Sequence, residues 1–303
     1  MKLVNTVPDL QALARQWKDL GHPVALVPTM GALHAGHVSL VHAARDTRRG
    51  ELPPRVIVSI FVNPLQFGAG EDFERYPRSL EDDVEMLAAA GADAVFNPSV
   101  PEMYPPGFDT RVTAGAVAGP LEGSTRPGHF DGVVTVVARL LGAAMADRAY
   151  FGQKDAQQLA VIRHMVADLA IPVEVVGEPT VREIDGLAMS SRNRYLGEEE
   201  RQHALALVRA LAEAQGRHAD GVSDLTTIET AMCEVLHAHP GVHAEYARIV
   251  DPDTIETPRA GRPRLAVIAA RVGPARLIDN AFLDGAELVG LRLATSDSQA
   301  MAV

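Results

Sequence analysis

Pro28-Thr29-Met30-Gly31-Ala32-Leu33-His34-Ala35-Gly36-His37 follows the apolar run Val24–Val27 and precedes Val38, Val41 and Ala44 at helical spacing. The pattern reads as strand, tight loop and helix start. Such a junction presents unpaired backbone N–H groups and the positive end of a helix dipole, a place for phosphate. His34 and His37 add two side-chain donors, and Gly36 lets backbone approach a ligand closely. His34 has no packing reason to sit in this loop, whereas His37 suits an ordinary first-turn position.

Composition narrows what such a site can serve. At 303 residues, with 47% hydrophobic and 22% charged residues, the chain has room for two domains with real cores. A net charge of −11 argues against nucleic acid and anionic membrane as partners, because both need clustered Lys and Arg. A phosphate site must then be a local positive pocket on an acidic protein. The single cysteine, Cys233, leaves no intramolecular disulfide and no multi-cysteine zinc site, and fits a reducing cytosol. The first 20 residues lack a signal-peptide pattern, and no run of 18 apolar residues occurs. A cytoplasmic protein is expected.

The remaining chain alternates strand-like and helix-like segments. Residues 6–20 suit a helix capped by Thr6, with Leu10, Leu13, Trp17 and Leu20 on one face. Val56–Val62 reads as a strand buried on both faces and runs into the loop Asn63–Gly68, where Asn63 and Gln66 sit at a ligand-binding edge. Ser79-Leu80-Glu81-Asp82 reads as a capping box opening a helix with Leu80, Val84, Leu87 and Ala88 inward. Capping and solvation account for Asp82 and Asp83, with a magnesium role as the alternative. Ala94–Phe96 is a third strand. Glu122–Phe130 reads as a long, glycine-rich loop of the kind that forms lids, before a helix from about Asp131 to Met145.

The same theme recurs downstream. Ala149–Phe151 is expected as a strand, Gly152-Gln153-Lys154-Asp155 as a loop, and Ala156–Leu169 as a helix aligning Leu159, Ile162, Val166 and Leu169. Lys154 is the point charge that phosphate sites use. Val173–Val176 is a further strand, and an Asp185-Gly186 turn leads to Met189-Ser190-Ser191-Arg192-Asn193, whose hydroxyls and guanidinium suit oxyanions. Two amphipathic helices at about 198–215 and 224–238 and strands at Ala244–Val250, Leu265–Ala270 and Arg276–Asp279 complete the chain. The tail from Thr295 is expected to fray. The reading is α/β: a Rossmann-like parallel-sheet nucleotide-binding domain over 1–183, and a smaller α+β C-terminal domain over 184–303.

The H-x-G-H near the N-terminus and the Met-Ser-Ser loop resemble the HIGH-type nucleotidylyl transferase superfamily. With Phe61-Val62-Asn63-Pro64-Leu65-Gln66-Phe67, Tyr150-Phe151-Gly152-Gln153-Lys154-Asp155 and Ile249-Val250-Asp251-Pro252, the chain is similar to the pantothenate synthetase, or pantoate–β-alanine ligase, family. Later Ala269-Ala270-Arg271-Val272-Gly273 and Arg276-Leu277-Ile278-Asp279-Asn280 fit as well, so the resemblance runs from about residue 3 to 281.

The resemblance implies a two-step amide synthesis. Pantoate attacks the α-phosphorus of ATP to give pantoyl adenylate and pyrophosphate, and the β-alanine amine then displaces AMP. It implies His34 and His37 on the triphosphate, with His37 as proton donor and Lys154 beside them in catalysis. The physical reading is that the histidines chiefly stabilise charge on the phosphorane and departing pyrophosphate. Met30, Gly31, Gln153 and Met189 join the implied ATP contacts. Lys154, Ser190, Ser191 and Arg192 would grip phosphate, Asp155 and the Gly152 backbone the ribose, and Val181 the adenine. Gln66 and Gln158 would hold pantoate, Gln66 also meeting β-alanine. Neutral amides suit a carboxylate that must stay nucleophilic. Mg²⁺ bridging phosphates is implied, with its protein ligand unassigned, as are a homodimer and closure of the smaller domain over the nucleotide.

Two other functions compete with the ligase: a nucleotidyltransferase that uses a phosphorylated acceptor, and a non-catalytic nucleotide sensor. Gln66 and Gln158 disfavour the first, because a phosphorylated acceptor calls for more cations. The full set His34, His37, Lys154 and Arg192 disfavours the second. A class I aminoacyl-tRNA synthetase is disfavoured by the acidic charge and the lack of an anticodon-binding appendage.

Overall fold

The computed structural model describes residues 1–46, 52–68, 70–71, 73–285 and 288. The chain forms two compact units, one of residues 1–153 and 157–179, the other of 154–156 and 180–303. The tail from Thr295 lies outside the described residues.

The first unit is built on six strands: β1 (Lys2–Val4), β2 (Val24–Thr29), β3 (Arg55–Ile60), β4 (Ala94–Phe96), β5 (Arg148–Gly152) and β6 (Glu174–Glu178). All are parallel, in the order β1-β4-β3-β2-β5-β6. The helices are α1 (Val7–Asp19), α2 (Ala35–Asp46), α3 (Leu80–Ala90), α4 (Val100–Met103), α5 (Glu122–Thr125), α6 (His129–Ala144) and α7 (Ala156–Asp168). Strand alternation sorts the core: Val24, Leu26 and Ile57 pack with α1 and α6, whereas Ala25, Val27, Val56 and Val58 pack with α2 and α3. Burial on both faces explains why these strands read as continuous apolar runs.

Several local expectations change. Thr6 caps α1 as expected, but Ser79 makes no side-chain cap bond and Ala88 is exposed. The expected capping box does not form: Ser79 stands at the N-cap with φ −132° and ψ 65°, outside the extended conformation from which a cap side chain reaches the helix N–H groups. Leu169 lies beyond the end of α7 and is exposed. The stretch 122–130 is a helical turn, α5, followed by the start of α6 two residues earlier than expected. Gln157 fixes it: its Oε1 accepts the Glu122 N–H, and its Nε2 donates to the Val117 and Pro120 carbonyls.

The second unit contains α8 (Glu198–Ala219), α9 (Leu225–His237) and an antiparallel sheet of β7 (Val242–Val250), β8 (Leu265–Val272) and β9 (Ala275–Phe282). Leu205, Val208, Leu211 and Ala212 of α8 are buried with Ile249, Ile268 and Leu277 of the sheet. Asp251 of the Ile-Val-Asp-Pro motif is a structural staple. Arg262 grips its carboxylate at 2.7 and 3.2 Å, which holds the acid well below the usual carboxylate range.

Candidate active site

In the first sheet the chain steps outward from β2 through β3 to β4, then returns to the other side of β2 to lay down β5 and β6. The reversal lies between β2 and β5, and the carboxyl ends of strands at such a switch point form a ligand crevice. The segments leaving those ends are 30–34 after β2, Phe61–Gln66 after β3 and Gly152–Gln153 at the end of β5.

The histidine pair is built differently from the expected open phosphate cradle. The His34 carbonyl accepts the first bonds of α2, from the N–H groups of His37 at 2.8 Å and Val38 at 3.2 Å. His34 is therefore the helix cap, and its Nδ1 accepts the Gly36 N–H at 3.1 Å. In return, His37 Nδ1 accepts the His34 N–H at 3.3 Å. This is the reciprocal logic of a capping box, performed by two imidazoles whose centroids lie 4.1 Å apart. With Nδ1 accepting, each neutral ring carries its proton on Nε2. The expectation that His34 lacks a local structural role is thus corrected.

The loop's own amides are also spoken for. Gly31 N–H donates to Thr29 Oγ1 at 3.2 Å, Ala32 N–H to Asp83 Oδ2 at 2.9 Å and Leu33 N–H to Asp83 Oδ1 at 2.8 Å. The expectation of unpaired backbone donors facing phosphate is overturned here, because a buried N–H without a partner is costly and internal acceptors are within reach. Asp83 is only 2% exposed. Capping and solvation do not explain it, and both oxygens serve the loop. Its sequence signal, one acid within an acidic first turn, does not distinguish it from Asp82.

Gln66 sits in the helical turn Pro64–Gln66. Its Nε2 donates to Met30 Sδ at 3.1 Å, and its Oε1 accepts from Asn63 Nδ2 at 3.0 Å. Asn63 is buried, donates to the Gly132 carbonyl and accepts from the Leu65 N–H and Tyr104 hydroxyl. Burial pushes the Tyr104 pKa up to about 12, so this hydroxyl keeps its proton. Helix α6 approaches so closely that a Cβ on Gly132 would stand 2.2 Å from the Leu65 carbonyl oxygen.

A second group holds the Gln66 backbone. His129 Nδ1 donates to the Gln66 carbonyl at 2.8 Å, while Nε2 accepts from Arg126 at 2.9 Å. Arg126 pairs with both Glu71 oxygens at 2.7 Å. Burial, reinforced by the Arg126 charge, lowers the His129 pKa to about 4. The hydrogen bonds from Arg126 lead the causes that hold Glu71 below the usual carboxylate range. Sequence reading missed Tyr104, Arg126 and His129, because each acts across 41 to 63 residues of chain.

Gln158 is half-buried in the first turn of α7, beside the structurally committed Gln157. Gln153 Nε2 donates to the Gly177 carbonyl. No described atom lies within 4 Å of where a Gly152 Cβ would stand, so packing does not demand glycine there.

The remaining predicted residues belong to the second unit. Lys154 Nζ lies 3.9 Å from Asp155, and the Lys154 carbonyl accepts from Asn280 Nδ2 at 2.8 Å. The Val181 carbonyl accepts the Met189 N–H at 3.0 Å, closing a turn braced by the Arg182–Ala188 bridge. Ser190 caps the helical turn Ser191–Tyr195 by accepting the Arg192 N–H. Asn193 ties this turn back to Glu183 and the Ala188 carbonyl. Arg182 makes a bidentate pair with buried Asp279 at 2.7 and 3.0 Å. Among the described residues no group of three or more His, Cys, Asp or Glu is placed to hold a metal, and no helix is long and apolar enough to cross a membrane.

Comparison with known proteins agrees with this architecture. The model of the pantoate-beta-alanine ligase family matches residues 2–282. A pantothenate synthetase of Rubrobacter xylanophilus is 53% identical over 292 residues, covering 93% of this chain and 98% of its own. The crystal structure of pantothenate synthetase from Thermus thermophilus superposes with a TM-score of 0.86 at 48% identity, over 93% of this chain and 99% of that one. The pantoate-beta-alanine ligase of Francisella tularensis, complexed with beta-gamma ATP and beta-alanine, gives 0.75 at 30% identity, over 94% and 99%. With a family match over residues 2–282 and a relative 53% identical that is covered over 98% of its own length, this chain belongs to the pantoate-beta-alanine ligase family.

Proposed function

We propose a division of labour among these residues in the family's reaction. The chain is an ATP-dependent ligase that condenses (R)-pantoate with β-alanine to pantothenate through a pantoyl adenylate, releasing AMP and pyrophosphate. In the first step a pantoate carboxylate oxygen bonds to the α-phosphorus as the bond to pyrophosphate breaks. In the second, the β-alanine nitrogen bonds to the acyl carbon, AMP leaves, and the amine loses its proton.

The observation that carries the assignment is the use of both Nδ1 atoms inside the His34–His37 cap. It makes Nε2–H the donor of each neutral ring, the form needed to meet charge developing on a departing pyrophosphate. Met30 and Gly31 belong to the same ATP-binding loop. Lys154, Ser190, Ser191 and Arg192 serve the phosphates; Asp155 and the Gly152 backbone serve the ribose; Gln153, Met189 and Val181 complete the nucleotide contacts. Gly152, whose missing side chain packing does not explain, is suited to close approach by a ligand.

Gln66 and Gln158 hold pantoate, with Gln66 also meeting β-alanine. The Gln66 amide now faces a thioether, a weak acceptor that a carboxylate readily replaces. Magnesium enters with ATP as the metal–nucleotide substrate. Mg²⁺ characteristically keeps several waters and is held through substrate phosphates with one or two carboxylates. The functional division we adopt is 1–183 for nucleotide and pantoate and 184–303 for the smaller domain. A homodimer is what the resemblance implies, and sedimentation equilibrium tests it as a mass of twice 32.4 kDa; the single cysteine, Cys233, supports a cytoplasmic location.

Product analysis tests the reaction. Mg²⁺–ATP and pantoate alone should support pyrophosphate exchange into ATP, and AMP with pantothenate should accumulate only when β-alanine is added. Absence of both signals would reject these substrates.

A further inference from the structure

Asp83 is a buried acid that the reaction as assigned does not use. Its two oxygens accept consecutive N–H groups, those of Ala32 at 2.9 Å and Leu33 at 2.8 Å. The segment they hold is a costly one. Gly31 has φ +81° and Ala32 φ +51°, a left-handed conformation that an L-alanine adopts only when its surroundings impose it. A Cβ on Gly31 would stand 2.9 Å from Asp83 Oδ2 and 3.0 Å from Ile60 Cγ2, so the carboxylate and β3 press directly on the turn. Two residues later the chain reaches His34, whose carbonyl, N–H and ring set the start of α2 and the position of His37.

We propose that Asp83 is a positioning residue for the adenylate-forming step: it clamps the strained turn 31–33 and so fixes where the His34 and His37 rings stand. The proposal rests on the reading of those histidines as donors to the triphosphate. Asp83 itself touches no reacting atom. A carboxylate offers an acceptor oxygen to each of the two N–H groups at once. Asparagine has the same shape but one acceptor oxygen, so in either flip an NH₂ group faces a loop N–H.

The test is pantoate-dependent pyrophosphate exchange by the full chain and by His37→Ala, Asp83→Asn and the double variant. His37→Ala should lose about 10²–10³-fold in exchange rate. Asp83→Asn should lose about tenfold or more, with the KM for pantoate within about twofold of the parent, since Gln66 and Gln158 are untouched. The double variant should fall no further than about twofold below His37→Ala, because Asp83 acts through the histidines. An unimpaired His37→Ala enzyme removes the reading of the histidines. An impaired His37→Ala enzyme with a fully active Asp83→Asn, or penalties that multiply, overturns the positioning role. If Asp83→Asn does not fold, amide hydrogen exchange in the parent decides. The clamp requires Ala32 and Leu33 to be protected as well as the amides of β2, and open-chain exchange there overturns it.

Discussion

The N–H of His34 donates to Nδ1 of His37 at 3.3 Å, and this bond gives the three-residue spacing of the pair a structural meaning. In an ordinary capping box a hydroxyl and a carboxylate would occupy these two positions. Two imidazoles close the same ring of bonds through Nδ1, so the helix start and the placement of the two rings are one arrangement.

Capping and chemistry should separate by substitution. His34→Asn keeps a good cap acceptor but deletes the Nε2–H donor, so stability should stay within about 0.5 kcal/mol of the parent while pyrophosphate exchange falls. His34→Ala should lose activity and about 1 kcal/mol besides. Urea unfolding and exchange assays read the two effects, and full activity in His34→Asn would end the donor role.

The adjacent glutamines should behave oppositely. Gln158→Ala is expected to raise the KM for pantoate far more than that for ATP. Gln157→Ala, which leaves the Glu122 N–H and two carbonyls without their partner, should chiefly lower the melting temperature. Equal changes in both KM values for Gln158→Ala would place the acyl pocket elsewhere.

Stability should carry the signature of His129. Its pKa is lowered from 6.5 to about 4 by burial and then by Arg126, so the folded state keeps the ring neutral while the unfolded chain takes up a proton. The associated stability is complete above pH 6.5 and is lost as pH falls from 6.5 to about 4. It amounts to roughly 3 kcal/mol by linkage. Urea titrations at pH 7, 5.5 and 4 should show this slope in the parent and not in His129→Asn, which retains a donor for the Gln66 carbonyl. An unchanged slope in the variant would assign the pH dependence to other groups.

In the second unit, Asp279→Ala removes the partner of Arg182, whose guanidinium also donates to the Gly186 and Asn280 carbonyls. Stripping one side of a buried ion pair typically costs about 3–5 kcal/mol, so the denaturation midpoint should drop clearly. A loss under about 1 kcal/mol would show that solvent reaches and compensates Arg182.

The amino-acid sequence by itself determined the α/β class, the positions of most helices and strands, and the family, because these rest on local periodicity and on motifs contiguous in the chain. It also marked His34, His37, Gln66 and Lys154 as chemically apt. Only tertiary structure decided what surrounds them. Asp83 reaches Ala32 and Leu33 across about 50 residues, and His129 reaches the Gln66 carbonyl across 63. Such partners leave no periodic trace, since a hydrogen bond depends on distance in space and not along the chain. The same reason explains the failed expectation of free loop amides: whether an N–H is open to phosphate depends on which acceptor the fold brings to it, and here the fold brings Asp83.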